Sequence, residues 1–148
     1  MEIVKLKSLS DGVLDELLVV WEKSVCSSHH FLTEEDIAYF KPLIRNQYLL
    51  AVELFVMRNE SGQIIGFMGL SDDMLEMLFV LPDQQGQGYG KAFVKYAIDK
   101  CGVSKVDVNE DNEQAYQFYL RMKFKVVGRD ELDSSGKPFP ILHLQQPS

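Results

Sequence analysis

The sequence has only two cysteines, no long apolar run and no targeting pattern at its N-terminus, and each of these absences argues against a class of site or of protein. Cys26 and Cys101 form neither a C-x-x-C motif nor a metal-ligand spacing, so we expect reduced, partly buried thiols rather than a disulfide, a redox motif or a metal site. No stretch of about 18 apolar residues occurs, and the first residues lack the basic flank and apolar core of a signal peptide. We therefore expect a soluble, cytoplasmic protein without a membrane partner.

Basic charge is also scarce, because 15 Lys and Arg residues stand against 22 Asp and Glu residues, a formal net charge of −7. Binding to a nucleic-acid backbone needs a basic surface, so we do not expect a nucleic acid as a partner, and a cationic partner suits the chain better. With 148 residues, 46% of them hydrophobic, the chain fits a single domain over residues 1–148 with one core.

The most informative segment runs from an apolar strand into a glycine-rich turn and then directly into an amphipathic helix. The strand ends at Pro82, and glycines follow at Gly86, Gly88 and Gly90. Glycine lets the backbone approach a ligand closely, and the first N–H groups of a helix have no partner within the helix. The segment therefore predicts a site for an anionic group such as a pyrophosphate.

Spacing decides which phosphate-binding pattern this segment matches. A dinucleotide-binding G-x-G-x-x-G motif would need glycine where the chain has Lys91. A P-loop would need glycine at Gln85 and Ser or Thr at Ala92. The pattern that fits is Q-x-x-G-x-G, formed by Gln85, Gly88 and Gly90.

This motif resembles the acyl-CoA signature of the GNAT superfamily of N-acetyltransferases, and a second segment supports the resemblance. Residues 112–119 read N-E-Q-A-Y-Q-F-Y, which is similar to the family's N-x-x-A-x-x-F-Y pattern, and Phe124 and Gly128 follow at the expected positions. Lys123 replaces the usual glycine before Phe124, a departure that concerns the end of the helix rather than the chemistry. Together the two segments cover roughly residues 73–128.

The hydrophobic pattern predicts the element order βααβββαβαββ. Helices are expected from about Asp11, from Thr33, from Gly88 and after Asn112, and strands near residues 2–7, 49–58, 63–71, 73–80, 105–108, 124–132 and 139–145. The resemblance implies an α/β fold in which a mixed, mostly antiparallel sheet is flanked by helices. It also implies that the sheet splays between its fourth and fifth strands to admit the pantetheine arm of the cofactor.

The resemblance implies acetyl-CoA as the cosubstrate. Backbone groups of residues 87–91 would hold its pyrophosphate, residues 79–81 would pair with pantetheine like an added strand, and an N–H near Val80 would face the thioester oxygen. Asn112 would reach the pantetheine, with helix capping as its alternative role. The complete set of expected cofactor-binding residues is Phe79, Val80, Leu81, Gln85, Gly86, Gln87, Gly88, Tyr89, Gly90, Lys91, Asn112 and Tyr119.

Two residues are candidates for proton transfer. The resemblance implies that Tyr119 protonates the leaving sulfur, although the same residue could simply pack on the apolar face of its helix. Glu76 interrupts the apolar strand before the glycine turn and is the candidate base that deprotonates the acceptor amine. It could equally be a polar residue on a solvated sheet face, and a histidine or a water chain could supply the base instead.

The acceptor side is expected near the junction of the first two helices. His29, His30 and Phe31 could offer a base and an apolar wall there, and no metal site is expected, since His143 is the one further histidine. The loop at residues 136–140 could close the opposite side of that pocket or be a proline-stiffened hairpin turn.

These observations predict an N-acetyltransferase that transfers the acetyl group directly, in a ternary complex, to a primary amine. A small-molecule amine, a protein lysine and a protein N-terminal amine all remain open as acceptors, and a homodimer is possible. The alternatives are a non-catalytic acyl-CoA sensor, or an acyltransferase that uses a longer acyl group or an oxygen acceptor.

Overall fold

The computed structural model describes residues 2–28 and 31–147. Within these ranges the helices are Asp11–Ser28 (α1), Glu34–Leu43 (α2), Tyr89–Cys101 (α3) and Glu113–Arg121 (α4). The strands are Ile3–Lys5 (β1), Glu53–Arg58 (β2), Ile64–Ser71 (β3), Met74–Val80 (β4), Lys105–Asn109 (β5), Lys125–Asp130 (β6) and Ile141–Gln145 (β7). This confirms the predicted element order. No helix in the described ranges is both long and apolar enough to span a bilayer.

The strands form one mixed sheet in the order β1-β2-β3-β4-β5-β7-β6, and every neighbouring pair is antiparallel except the parallel pair β4 and β5. In the described structure, β4 and β5 pair at two positions, Met74 with Lys105 and Leu75 with Val106. Beyond Leu75 the two strands separate, which leaves one edge of β4 open. The predicted fold class and the predicted splay between the fourth and fifth strands are therefore confirmed.

The core is formed where apolar side chains of α1 and α3 pack against the central strands β3 and β4. The apolar stripe of α1 buries Leu17 and Trp21, and α3 buries Phe93 and Ala97 against β3 and β4. The large side chains Leu17, Trp21 and Phe93 each contribute about 2 kcal/mol of burial free energy. Because α3 is anchored by its buried face, its N-terminus stays fixed beside the end of β4.

The start of α2 agrees with the capping pattern of the sequence. The hydroxyl of Thr33 accepts a hydrogen bond from the N–H of Asp36 at 3.1 Å, and the carboxylate of Asp36 accepts one from the N–H of Thr33 at 3.0 Å. This reciprocal arrangement satisfies two N–H groups that the helix leaves without partners.

The predicted strand at residues 49–58 is wrong in its first four residues. The chain continues from α2 through a π-helical turn, Ile44–Tyr48, and a 3-10 turn, Leu49–Ala51, before β2 begins at Glu53. Leu49 is completely buried in the coiled segment. A short apolar run fits a buried helical turn as well as a buried strand, and tertiary packing decides between them.

Candidate functional site

The glycine turn has the backbone conformation that its sequence suggests. Gly86 and Gly88 have φ angles of 80° and 86°, in the left-handed region that favours glycine. Gly88 is the N-cap of α3, and the first helical hydrogen bond is donated by Ala92 to the Gly88 carbonyl at 3.0 Å. The N–H groups of the preceding helical residues are therefore left without helical acceptors, and they lie beside the turn.

A side-chain bond attaches this turn to the strand before it. The amide nitrogen of Gln85 donates to the carbonyl oxygen of Val80 at 3.1 Å. Tyr89 donates its hydroxyl to the side-chain oxygen of Gln87 at 3.3 Å on the exposed side of the turn. The side chain of Gln85 is thus bonded to the end of β4, whereas the side chain of Gln87 faces solvent.

One edge of β4 is hydrogen-bonded to β3, and the other edge is open beyond Leu75. The N–H of Leu81 donates to the carbonyl of Ile65 at 2.8 Å, and the Leu81 carbonyl accepts from Gln84 at 2.9 Å. Because backbone groups alternate in direction along an antiparallel strand, Leu78 and Val80 direct theirs away from β3 and toward the splay. Of the backbone expected to meet pantetheine, Val80 has the required direction, although its carbonyl already accepts from the Gln85 side chain. The N–H and the carbonyl of Leu81 both have backbone partners.

A first cavity of about 360 Å³ lies between the glycine turn, the open edge of β4 and α4. Ten of the expected cofactor-binding residues line it, and Leu81 and Gln87 do not. The lining residues that the sequence did not indicate are Ser24, Ser28, Leu78, Gln84, Gln114, Ala115, Phe118 and Arg121. The serines come from the C-terminal part of α1, which forms part of the wall. Arg121 adds a second positive charge to that of Lys91.

Tyr119 is buried on the wall of the first cavity. Its ring meets Phe118 and Phe124 edge to face, with centroids 5.1 and 5.7 Å apart. Burial raises the pKa of the Tyr119 phenol above its usual range, so the hydroxyl keeps its proton at neutral pH. Tyr119 therefore packs against its aromatic neighbours, and its hydroxyl also has a proton to donate.

Asn112 is buried at the start of α4, where its side-chain oxygen accepts a hydrogen bond from the N–H of Ala115 at 3.2 Å. This is the capping role that the sequence left open. Asn112 also lines the first cavity, so capping places the side chain at the wall rather than removing it from the site.

A second cavity, of about 540 Å³, is lined by residues of β4, β5, β7 and the end of β6 with its following loop. Phe79 lines both cavities, which makes it the partition between them. The second cavity is acidic, with four carboxylates and one histidine in its wall: Glu76, Asp107, Asp130, Asp133 and His143. Burial raises the pKa of the Glu76 carboxyl, and the charge of Asp107 raises it further, which is suitable for a group that must take up a proton near neutral pH.

His143 is the functional candidate that sequence reasoning missed. Its Nδ1 lies 2.7 Å from a carboxylate oxygen of Asp107, and its Nε2 lies 2.7 Å from one of Asp130. The three residues come from β7, β5 and β6. Their alternation within each strand could have suggested a common face, but their contact depends on strand pairing, which no local motif reveals.

His29 and His30 lie outside the described residues. Phe31 contacts the loop after β6, with its ring centroid 5.8 Å from that of Phe139, and it lines neither of the two cavities. The same loop is held to α2 by Lys137, whose ammonium lies 4.2 Å from the centroid of the Tyr39 ring. Asp133 and Ser134 at the start of this loop line the second cavity, whereas residues 136–140, which were expected to close an acceptor pocket, do not line it.

Similar proteins agree with this architecture. The family model described as an acetyltransferase (GNAT) domain matches residues 30–139. The peptidyl-lysine N-acetyltransferase YjaB of Escherichia coli K12 is 41% identical over 130 residues, 88% of each chain, and YiaC of the same organism, which carries the same enzyme name, is 28% identical over 130 residues, 87% of this chain and 88% of its own.

Solved structures give the same result. The solution structure of apo-form YjaB from Escherichia coli superposes with a TM-score of 0.86 at 38% identity and covers 97% of this chain and 95% of its own. An N-acetyltransferase from Thermoplasma acidophilum in complex with coenzyme A has a TM-score of 0.66 at 20% identity, covering 98% and 99%, and shares the fold. The chain therefore belongs to the GNAT family of N-acetyltransferases.

Proposed function

We propose that this protein, acting as one domain over its whole length, transfers the acetyl group of acetyl-CoA directly to the side-chain amine of a lysine in a protein. The observation that carries the proposal is the pair of cavities that share Phe79 of β4 as a lining residue. One cavity has the glycine turn and the other has the acidic wall. A cofactor in the first and an acceptor in the second would meet at the open edge of β4, as a ternary complex requires.

The first cavity fits acetyl-CoA chemically. The left-handed glycines and the start of α3 present backbone N–H groups to an anion, and Lys91 and Arg121 supply cationic charge. The open edge of β4 would pair with the pantetheine amides as an added strand. Acetyl-CoA would supply an activated thioester near Phe79, which lines both cavities.

The residues around that point can provide each proton transfer and the charge stabilisation. Glu76 would take a proton from the acceptor ammonium, so that the amine nitrogen can bond to the thioester carbon. The N–H of Val80 would donate to the oxyanion that forms, a contribution of about 3 kcal/mol in comparable enzymes. As the carbon–sulfur bond breaks, Tyr119 would give its proton to the thiolate. The nitrogen would lose its second proton to solvent as the amide forms, and Tyr119 would regain a proton from solvent.

The acceptor is proposed from the charge of the second cavity and from the relatives. Its carboxylates outnumber its histidine, so the wall attracts an ammonium group. The relatives are named peptidyl-lysine N-acetyltransferases, which favours a lysine presented by a protein over a free small amine or an N-terminal amine.

The decisive experiment combines ligand binding with turnover. We expect acetyl-CoA to raise the melting temperature, whereas NAD and ATP leave it unchanged, and we expect mass spectrometry to find acetyl-lysine in lysine peptides. Glu76→Gln should lower kcat at least a hundredfold while acetyl-CoA still stabilises the protein. The matched control Glu53→Gln removes a carboxylate that pairs with Lys5 on the surface and should retain activity.

Each failure has a distinct meaning. The absence of a melting-temperature shift with acetyl-CoA would overturn the cofactor site. Stabilisation without acetylation of any lysine peptide or amine would favour an acyl-CoA sensor. Turnover that is faster with a longer acyl-CoA, or with an oxygen acceptor, would correct the identity of the donor or of the acceptor.

A further inference from the structure

The bonding of His143 requires a charged ring. Both ring nitrogens lie 2.7 Å from carboxylate oxygens, those of Asp107 and Asp130. Ionised carboxylates only accept hydrogen bonds, and a neutral imidazole has one donor and one acceptor. Two such contacts are therefore satisfied together when both nitrogens carry protons, which makes His143 an imidazolium between two carboxylates.

Strand pairing extends this unit to Glu76. The parallel pairing of β4 with β5 ends at Leu75 and Val106, and Glu76 and Asp107 follow directly, where the strands begin to separate. Both side chains line the second cavity, and the charge of Asp107 raises the pKa of Glu76. Asp107 is paired with His143 across β5 and β7. Glu76, Asp107 and His143 therefore form a row across the sheet and face the same cavity.

The far end of the row is shaped by a glycine. Gly128 on β6 is paired with His143, next to a register shift in that strand. A Cβ atom at Gly128 would lie 3.4 Å from Cδ2 of the imidazole, an ordinary van der Waals contact, so the ring lies directly over Gly128. In this position its Nε2 is within hydrogen-bond distance of Asp130, two residues further along β6.

We propose that His143 is a positioning residue of the acceptor site: its imidazolium, bridged by Asp107 and Asp130, fixes the Asp107 carboxylate beside Glu76 and sets the charge that the Glu76 carboxylate meets. This inference rests on the proposed function in giving Glu76 the role of base. The established family membership does not assign His143 a role.

The surroundings explain why the charge of His143 matters. The titratable groups that face Glu76 across the cavity are Asp107 on β5, Asp130 on β6, Asp133 in the following loop and Tyr48 in the π-helical turn. Within the described lining, His143 is the sole cationic group. Its loss would leave the Asp107 charge unopposed, and an unopposed negative neighbour disfavours the ionised form of Glu76.

The test follows the titration of the Glu76 carboxyl carbon by NMR in full-length ¹³C-labelled protein, with assignment by Glu76→Gln. We expect His143→Gln to raise the pKa of Glu76, because a cation is lost, and Asp107→Asn to lower it, because an anion is lost. A matched control is Arg129→Gln. It removes a cation of β6 that pairs with Glu110, and it should leave the pKa of Glu76 unchanged.

Kinetics supply a second readout. With a lysine peptide, the rising limb of the pH profile of kcat/KM should move to higher pH in His143→Gln and to lower pH in Asp107→Asn, while the KM for acetyl-CoA stays constant. A merely structural role would not move the limb in opposite directions.

Several results would overturn the proposal. One is a Glu76 titration that is the same in folded His143→Gln as in the unmodified protein, and another is a shift of the same sign in both variants. If His143→Gln does not fold, ¹⁵N NMR of the unmodified protein decides, since a neutral ring at pH 7 contradicts the bridge. The NMR titration needs no acetyl transfer, so a failure of the proposed function and a failure of this inference are separately visible.

Discussion

Gln85 donates its side-chain amide to the carbonyl oxygen of Val80 across 3.1 Å. The bond joins the glycine turn to the last residue of β4. The Q-x-x-G-x-G motif therefore has two structural roles: Gly88 adopts the left-handed conformation of the turn, and Gln85 fixes that turn relative to the open edge of the strand.

Replacing Gln85 by Glu should weaken acetyl-CoA binding. A carboxylate has nearly the same shape but cannot donate to the Val80 carbonyl, and the loss of one such bond costs about 1 kcal/mol, or about fivefold in Kd. Isothermal titration calorimetry would measure the change. Gln84→Glu adds the same charge to the same cavity, so equal losses in the two variants would show that charge, not the Val80 bond, is responsible.

The two glycines at the start of α3 should respond differently to alanine. Gly88 has a φ of 86° and open space around its Cβ position, so Gly88→Ala should cost about 1 kcal/mol of unfolding free energy through backbone strain alone. At Gly90, a Cβ would meet Phe118 at 3.7 Å, an ordinary contact, and alanine suits a helix better.

Gly90→Ala should therefore retain or gain stability in urea unfolding and yet weaken acetyl-CoA binding, since the new methyl group enters the first cavity. A stable Gly88→Ala variant would contradict the assigned strain. Unchanged acetyl-CoA affinity in Gly90→Ala would show that the cofactor does not approach this turn closely.

Lys123 stands where the family pattern has glycine, before Phe124, and its φ is 72°. A lysine at the end of α4 thus occupies the left-handed conformation in which family members commonly have glycine. Lys123→Gly should stabilise the protein by about 0.5 to 1 kcal/mol in urea unfolding. The reverse change at the end of α3, Gly102→Ala at a φ of 70°, should destabilise it by a similar amount.

The sequence predicted the local structure around the candidate site. The turn from Gly86 to Gly90, the cap at Asn112 and the position of Tyr119 each follow from a contiguous motif, because a motif fixes a turn or a helix start directly. The fold class followed from the same motifs together with the order of elements.

Features that depend on pairing between distant segments could not be predicted. The row from Glu76 to His143 needs the register of β4, β5 and β7, which is set by the whole sheet. Ser24 lines the first cavity because the C-terminal part of α1 packs beside β4. The coiled path around Leu49 arises from burial, and the same apolar run is compatible with a strand.

Tyr119→Phe should separate proton donation from packing. Phenylalanine keeps the ring contacts with Phe118 and Phe124 and removes the hydroxyl, so kcat should fall about a hundredfold with little change in melting temperature or in the KM for acetyl-CoA. Tyr116 lies on the same helix and lines neither of the two cavities, so Tyr116→Phe is the control. A normal kcat for Tyr119→Phe would mean that solvent protonates the thiolate.

The bridge at His143 should make stability depend on pH in a defined direction. Hydrogen bonds to Asp107 and then to Asp130 raise the pKa of His143. A group whose folded pKa exceeds its unfolded value, here about 6.5, stabilises the fold fully below that value and loses the contribution as pH rises through the folded pKa. Asp130 is largely exposed, so solvent screening limits the effect to about 1 kcal/mol. Melting temperatures of the unmodified protein and His143→Gln should therefore differ more at pH 5.5 than at pH 9, and an equal difference at both values would contradict the bridged imidazolium.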